Sequence, residues 1–255
     1  MVDSWFPREI RPVNVRFRLF CFPYAGGGAA VYRDWSESFP PWVEVIPLVP
    51  PGREHRVDEE PCADLKSLVD GAATALRPHL DVPYALFGHS LGALVAYHAA
   101  HWLRDAGLTG PDHLFVAGHR APQLPDRVPA LYGLPDDAFV DGVTELGGMP
   151  AELAAEPEFL RYALPALRAD FTISDTYTWA GLPPLDCPVT AFGGVSDPTV
   201  SEPELAAWRE TTTGVFRSRQ LPGDHFFLNS ARHLLTGMVE SGIQRGMRAR
   251  ARLAR

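Results

Sequence analysis

Six short β-like runs recur along the chain, at 15–22, 43–48, 84–87, 113–117, 189–192 and 215–221, bounded by Gly, Pro and Asp. Helix-like stretches separate several of them. In 65–80, Leu65, Leu68, Val69, Ala72, Ala73, Leu76 and Leu80 fall on one stripe, with Asp64 placed to cap it. The stretch 93–106 opens Ala-Leu-Val-Ala-Tyr and is apolar on nearly all sides, as suits a helix buried against the middle of a sheet. Strands that alternate with helices pair through crossovers, so the pattern implies an α/β fold: a mostly parallel central sheet with flanking helices.

One interval breaks the rhythm. About 70 residues separate the run ending at 117 from the one starting at 189, where a crossover needs about a dozen. The interval is rich in Pro and acids, yet Leu131, Leu134, Phe139, Val140, Val143, Leu146, Phe159, Leu160, Leu164 and Leu167 recur at helical spacings. The expected organisation is a core formed by 1–120 and 185–255, with 121–184 inserted as a helical lid and Gly147-Gly148 as its joint. Extra helical padding of the core is the alternative. Either way, the inserted apolar faces must cover something, and an acyl-sized cavity is a natural candidate.

Composition narrows the function. The 255 residues are 46% hydrophobic and 21% charged, which excludes a chain disordered throughout. Cys21, Cys62 and Cys187 are odd in number, far apart and in no CxxC or Cys/His cluster. That argues against a disulfide framework or a metal site and for a reducing cytoplasm. No run approaches the roughly 20 apolar residues of a membrane span, and the N-terminal nine residues hold no signal-peptide core. The net charge of −8 argues against general nucleic-acid binding. Five arginines, Arg245, Arg248, Arg250, Arg252 and Arg255, collect at the end of the chain and read as a frayed, solvated terminus; docking to an acidic partner is the sharper alternative.

Gly88-His89-Ser90-Leu91-Gly92 fits G-x-S-x-G between a strand and a helix. In such an elbow the serine occupies a sharp turn, where side chains two positions away on either side would strike neighbouring backbone; glycine at 88 and 92 removes that collision. The turn exposes Ser90 and aims the unpaired N–H groups of the following helix at an oxyanion. A serine nucleophile needs a base. Among nine histidines, His89 shares the turn and points elsewhere, and His98 and His101 lie on the following helix as packing or surface residues. His79, His113 and His119 belong to a helix end, a strand start and the entry to the insertion. His225 follows the last strand in a Pro-Gly-Asp-His loop, at the carboxyl end where α/β sheets place ligands. Asp197, just past the run 189–192, completes the order Ser, Asp, His of an α/β-hydrolase. Asp170 is the alternative acid; Asp175 also lies in the less rigidly placed insertion, and Asp224 is too near His225 in sequence to orient it comfortably. The loop Phe22-Pro23-Tyr24-Ala25-Gly26-Gly27-Gly28 offers the second oxyanion donor, so the N–H groups of Ala25 and Leu91 are the expected hole. A dinucleotide-binding loop is the weaker reading, since Val31 stands where its third glycine belongs.

Taken together, Phe-Pro-Tyr-Ala-Gly-Gly-Gly, Pro51-Gly52-Arg53-Glu54, Gly-His-Ser-Leu-Gly-Ala, Glu145-Leu146-Gly147-Gly148-Met149-Pro150, Arg168-Ala169-Asp170-Phe171 and Gly223-Asp224-His225-Phe226-Phe227 make the chain resemble the type II thioesterases of polyketide and nonribosomal peptide assembly lines, over roughly 15–240. The resemblance implies an α/β-hydrolase fold with a mobile helical lid. It also implies an editing activity that removes acyl groups from the phosphopantetheine arm of acyl- or peptidyl-carrier proteins, by a monomer with no metal or cofactor of its own. Asp224 stands where the family commonly has a second glycine, which leaves open which acid pairs with His225. A small-molecule carboxylesterase or lipase with the same triad is the second reading, and a non-catalytic hydrolase-fold binding module the third.

Overall fold

The structure, a computed structural model, describes residues 4–7 and 14–253. Strands β1 (Phe17–Phe22), β2 (Val43–Pro47), β3 (Tyr84–His89), β4 (His113–Ala117), β5 (Val189–Gly194) and β6 (Phe216–Leu221) form one sheet in the order β2-β1-β3-β4-β5-β6. Every pairing in it is parallel. All six expected runs are strands, with ends displaced by no more than two residues: β1 starts at Phe17 and β3 continues to His89.

The helices are α1 (Leu65–Leu76), α2 (Leu91–Asp105), α3 (Asp136–Glu145), α4 (Ala151–Ala154), α5 (Pro157–Thr176), α6 (Glu202–Ala206), α7 (Phe227–Ser230) and α8 (Arg232–Leu253). The inner strands β1, β3, β4 and β5 are buried throughout, and their alternation sends side chains into two cores. Phe20, Phe22, Leu86, Leu114 and Val116 pack with α1 and α2, while Leu19, Cys21, Phe87, Phe115 and Phe192 pack with Leu235, Val239 and Ile243 of α8. Asp64 caps α1 by accepting the Ser67 N–H at 2.8 Å. That helix stops at Leu76, short of 80, because Pro78 lacks an N–H and 77–79 tighten into a 3-10 turn.

The strand order fixes where the site lies. The chain passes outward from β1 to β2, returns to the far side of β1 for β3, and then continues outward through β6. Winding therefore reverses between β1 and β3, and the loops leaving their carboxyl ends diverge around a crevice. The register Phe22↔Gly88 sets the loop after β1 beside the turn after β3.

Between β4 and β5 the inserted segment folds as α3, α4 and α5 around Phe139, Val140, Val143, Met149 and Leu167. Leu134 and Phe159 remain exposed. The Gly147-Gly148 pair is a helix cap: Gly147, at φ +75°, donates to the Thr144 carbonyl and Gly148 to that of Val143, both at 2.9 Å. The arginine-rich end departs from expectation. It is helical through Leu253 instead of frayed, and Arg250 pairs with Asp112 at 2.9 Å. Arg255, and residues 1–3 and 8–9 of the N-terminal stretch, lie outside the described residues. No helix among the described residues is long and apolar enough to cross a membrane.

Candidate active site

Ser90 sits between β3 and α2 at φ 53°, ψ −123°. A non-glycine residue held there costs about 1–3 kcal/mol, so its surroundings must enforce it. They do so by contact. A Cβ at Gly88 would lie 2.0 Å from the Gly92 carbonyl oxygen, and one at Gly92 would lie 2.1 Å from that of Phe22. The Ser90 N–H donates to the Ala117 carbonyl at 2.8 Å, which ties the elbow to the end of β4. Leu91 begins α2, so its N–H is one of the helix's free amino-terminal donors.

The loop after β1 closes on itself, with Gly27 N–H donating to the Tyr24 carbonyl at 2.9 Å and Gly26 at φ +75°. Positive φ at the third position of such a turn calls for glycine. Ala25, Ser90, Leu91 and His225 line a common cavity of about 110 Å³. That is space for roughly three or four waters. Its apolar walls include Tyr24, Val143, Leu167, Phe171 and Phe226, three of them from the inserted segment. Arg120, Asp126, Ser174 and Asp175 are among its polar lining residues. Tyr24, Ala25, Gly148 and Leu167 also border a larger groove of about 790 Å³ beside the first cavity.

His225 lies in the loop after β6, and its Nδ1 is 2.9 Å from Asp197 Oδ2. The two loops interlock: Ser196 N–H donates to the Gly223 carbonyl at 2.9 Å, and a Cβ at Gly194 would meet the Asp224 carbonyl oxygen at 2.2 Å. Asp197 Oδ1 accepts both the N–H (2.8 Å) and the hydroxyl (2.7 Å) of Thr199. Burial pushes the Asp197 carboxyl up, but hydrogen bonding to His225, that ring's charge and the Thr199 donors outweigh it and hold the group below its ordinary value. Sequence reasoning missed Thr199, although Asp-Pro-Thr carries the Asx-turn signal.

The competing acids are engaged elsewhere. Asp224 Oδ1 accepts the Phe226 N–H at 2.8 Å, shaping the loop. Asp170 is buried against Arg53, with contacts of 2.6 and 3.1 Å, and accepts the Gly26 N–H at 2.7 Å. His89 is nearer His225 than its place in the turn suggested. It is fully buried, with its ring centroid 5.2 Å from that of His225, and neither ring nitrogen has a hydrogen-bond partner among the described residues. Burial, then the neighbouring His225, push its basicity far down, so it packs as a neutral ring. His119 borders the cavity and is also held neutral, at about 4, chiefly by burial and then by Arg120.

Known proteins share this architecture. The chain is 39% identical to the gramicidin S biosynthesis protein GrsT of Aneurinibacillus migulanus over 232 residues, 91% of each chain. Among solved structures, the RedJ thioesterase from the prodiginine pathway of Streptomyces coelicolor superposes with a TM-score of 0.84 at 40% identity, covering 94% of this chain and 93% of that one. The type II thioesterase BorB from the borrelidin biosynthetic cluster gives a TM-score of 0.85 at 32% identity, over 95% and 98%. With the thioesterase domain model matching residues 17–241 as well, the chain belongs to the thioesterase family, alongside type II thioesterases of polyketide and nonribosomal peptide pathways.

Proposed function

We infer that the protein is a stand-alone type II thioesterase whose Ser90, His225 and Asp197 hydrolyse short acyl groups from the phosphopantetheine arm of acyl- or peptidyl-carrier proteins, clearing stalled or wrongly primed intermediates. The observation that carries this reading is the convergence of an elbow serine, a histidine held at 2.9 Å by a buried carboxylate, and Ala25 and Leu91 on one small cavity.

In the reaction, Asp197 holds the Nδ1–H of His225, leaving Nε2 free to take the Ser90 proton as Oγ attacks the thioester carbonyl. The N–H groups of Ala25 and Leu91 hold the oxyanion. Collapse of the tetrahedral species breaks the C–S bond, and the imidazolium returns its proton to the departing thiolate. A thiol with a pKa near 8.5 leaves with little help. Water then gives its proton to His225 and attacks the acyl-serine, releasing the acid and restoring Ser90. The chemistry asks for no metal or cofactor of the protein's own, since the pantetheine arrives with the carrier. One chain supplies every residue of the triad and hole, so a monomer suffices. The free Cys21, Cys62 and Cys187 are in keeping with a reducing cytoplasm.

The test compares kcat/KM for a short acyl group on a carrier protein with that for an aryl ester of the same acid. A preference for the carrier thioester is expected; equal rates would move the reading to a small-molecule carboxylesterase.

A further inference from the structure

We propose that Asp170 and Arg53 are positioning residues that hold the oxyanion loop in shape, and that the hole is therefore complete only while helix α5 of the inserted segment is seated. This rests on the hydrolase reading above, in which Ala25 supplies an oxyanion donor.

In the loop after β1, the Gly26 N–H and the Gly27 carbonyl lie outside the turn's own hydrogen bond, and a single buried ion pair takes both. Asp170, on α5 and 2% exposed, accepts the Gly26 N–H at 2.7 Å through Oδ2. The same oxygen accepts Arg53 Nη1 at 2.6 Å, while Oδ1 accepts Nη2 at 3.1 Å. Arg53 Nη1 also donates to the Gly27 carbonyl at 3.1 Å, and Nε donates to the Pro51 carbonyl at 3.2 Å. Two parallel bonds fix the fork of the guanidinium as well as its charge. The next residue contributes too, since Glu54 Oε1 accepts the Ala30 N–H at 2.9 Å just beyond the loop.

This pair chooses between two forms of the turn. With Gly27 N–H on the Tyr24 carbonyl and Gly26 at φ +75°, residues 24–27 have the features of a type II turn, which differs from type I mainly in the orientation of its central peptide. The Ala25–Gly26 peptide is that central unit, and its N–H is the one Asp170 accepts. A flipped peptide would turn the Ala25 carbonyl toward a buried carboxylate. The Ala25 N–H itself belongs to the preceding peptide, so Asp170 acts on it through the turn: it fixes the form of the turn whose first central residue, Ala25, borders the cavity beside Ser90. Leu167, one turn earlier on the same face of α5, packs on the loop from the same side: a Cβ at Gly26 would lie 2.5 Å from its Cδ2. Thus α5 both walls the cavity, through Leu167 and Phe171, and holds the loop. Its displacement would open the cavity and release the oxyanion loop in one movement.

The experiment compares wild type with Asp170→Asn on a short-chain acyl-pantetheine thioester. It also measures binding of two inert analogues: a trifluoromethyl ketone that forms the Ser90 oxyanion, and an acyl amide that resembles the ground state. A fall in kcat of about tenfold to hundredfold with KM within about twofold is expected, short of the hundredfold to thousandfold loss on removing a donor outright. Affinity for the ketone should fall in parallel while that for the amide holds. A folded Asp170→Asn enzyme with unchanged kcat, or one that loses both analogues equally, overturns the proposal. Should that variant fail to fold, the double variant Arg53→Met, Asp170→Leu removes both charges together. It must show the same selective loss, and full activity in it refutes the idea. A wild-type enzyme inert toward the thioester would instead refute the hydrolase reading itself.

Discussion

Replacing Asp197 with Asn tests the triad at its least obvious member, and the structure dictates which way the amide must face. Oδ1 of Asp197 takes two donors from Thr199, a backbone N–H at 2.8 Å and a hydroxyl at 2.7 Å, while Oδ2 faces His225 Nδ1 at 2.9 Å. The hydroxyl can rotate to suit an amide, but the backbone N–H can only donate. The Asn oxygen must therefore stay on Thr199, and its NH₂ must face His225. Flipping the amide would set the half-buried N–H against an NH₂, at about 1 kcal/mol, the lower end for an unsatisfied donor, or roughly fivefold in population. Facing NH₂, Nδ1 becomes an acceptor and the ring proton moves to Nε2, where it can no longer receive the Ser90 proton; the Thr199 Oγ, 3.0 Å from Nδ1, can accept an Nδ1–H, but a neutral hydroxyl holds that tautomer less firmly than a carboxylate. The equivalent substitution in a serine protease lowers kcat about 10⁴-fold through this wrong tautomer. The assay is thiol release from a short acyl-pantetheine, with melting temperature recorded alongside. A loss of about 10³- to 10⁴-fold in kcat is expected with the fold intact. Activity within tenfold of wild type would refute both the choice of acid and the argument from Thr199.

Gly88→Ala should give insoluble or strongly destabilised protein, because its Cβ would fall 2.0 Å from the Gly92 carbonyl oxygen; a soluble variant with wild-type melting temperature would contradict this. Leu167→Ala removes part of the wall between the small cavity and the larger groove, so kcat/KM for octanoyl over propionyl thioesters should rise about tenfold or more, at a stability cost of about 2–5 kcal/mol. An unchanged chain-length profile would show that Leu167 does not limit the acyl group. Burial is the main cause holding His98, His101 and His119 at about 4 and His113 at about 3. Between those values and their unfolded value near 6.5, the unfolded chain binds more protons than the native one, so stability must fall as pH drops below about 6.5. Each contributes a loss on the order of 1–2 kcal/mol by pH 5, and a melting temperature that stays flat from pH 7 to 5 would contradict that burial.

Most of the fold was legible because strands buried on both faces declare themselves as short apolar runs, and the parallel arrangement follows from the helices between them. Ser90 was legible for a local reason: Gly88 and Gly92 are demanded by contacts within five residues and one adjoining strand. His225 and Asp197 were legible by place, each in a loop at the carboxyl end of a strand. Residue types alone did not tell the role of Asp170, a plausible triad acid in sequence. Its actual partners, Arg53 and Gly26, stand 117 and 144 residues away and meet it only after the insertion folds back over the sheet. The Gly147-Gly148 pair shows the opposite limit. Glycines suggest freedom, but here positive φ completes a helix cap that only the hydrogen bonds of Val143 and Thr144 reveal.

The central claim is that Ser90 carries the acyl group during hydrolysis of a carrier-bound thioester. Intact-protein mass spectrometry of the enzyme quenched during turnover of a short acyl-carrier protein, set beside turnover by Ser90→Ala, tests it directly. A transient acyl adduct mapping to Ser90 and a loss of about 10⁶-fold in the variant are the expected results. Undiminished release of the acid by Ser90→Ala, or an adduct on another residue, would contradict the account.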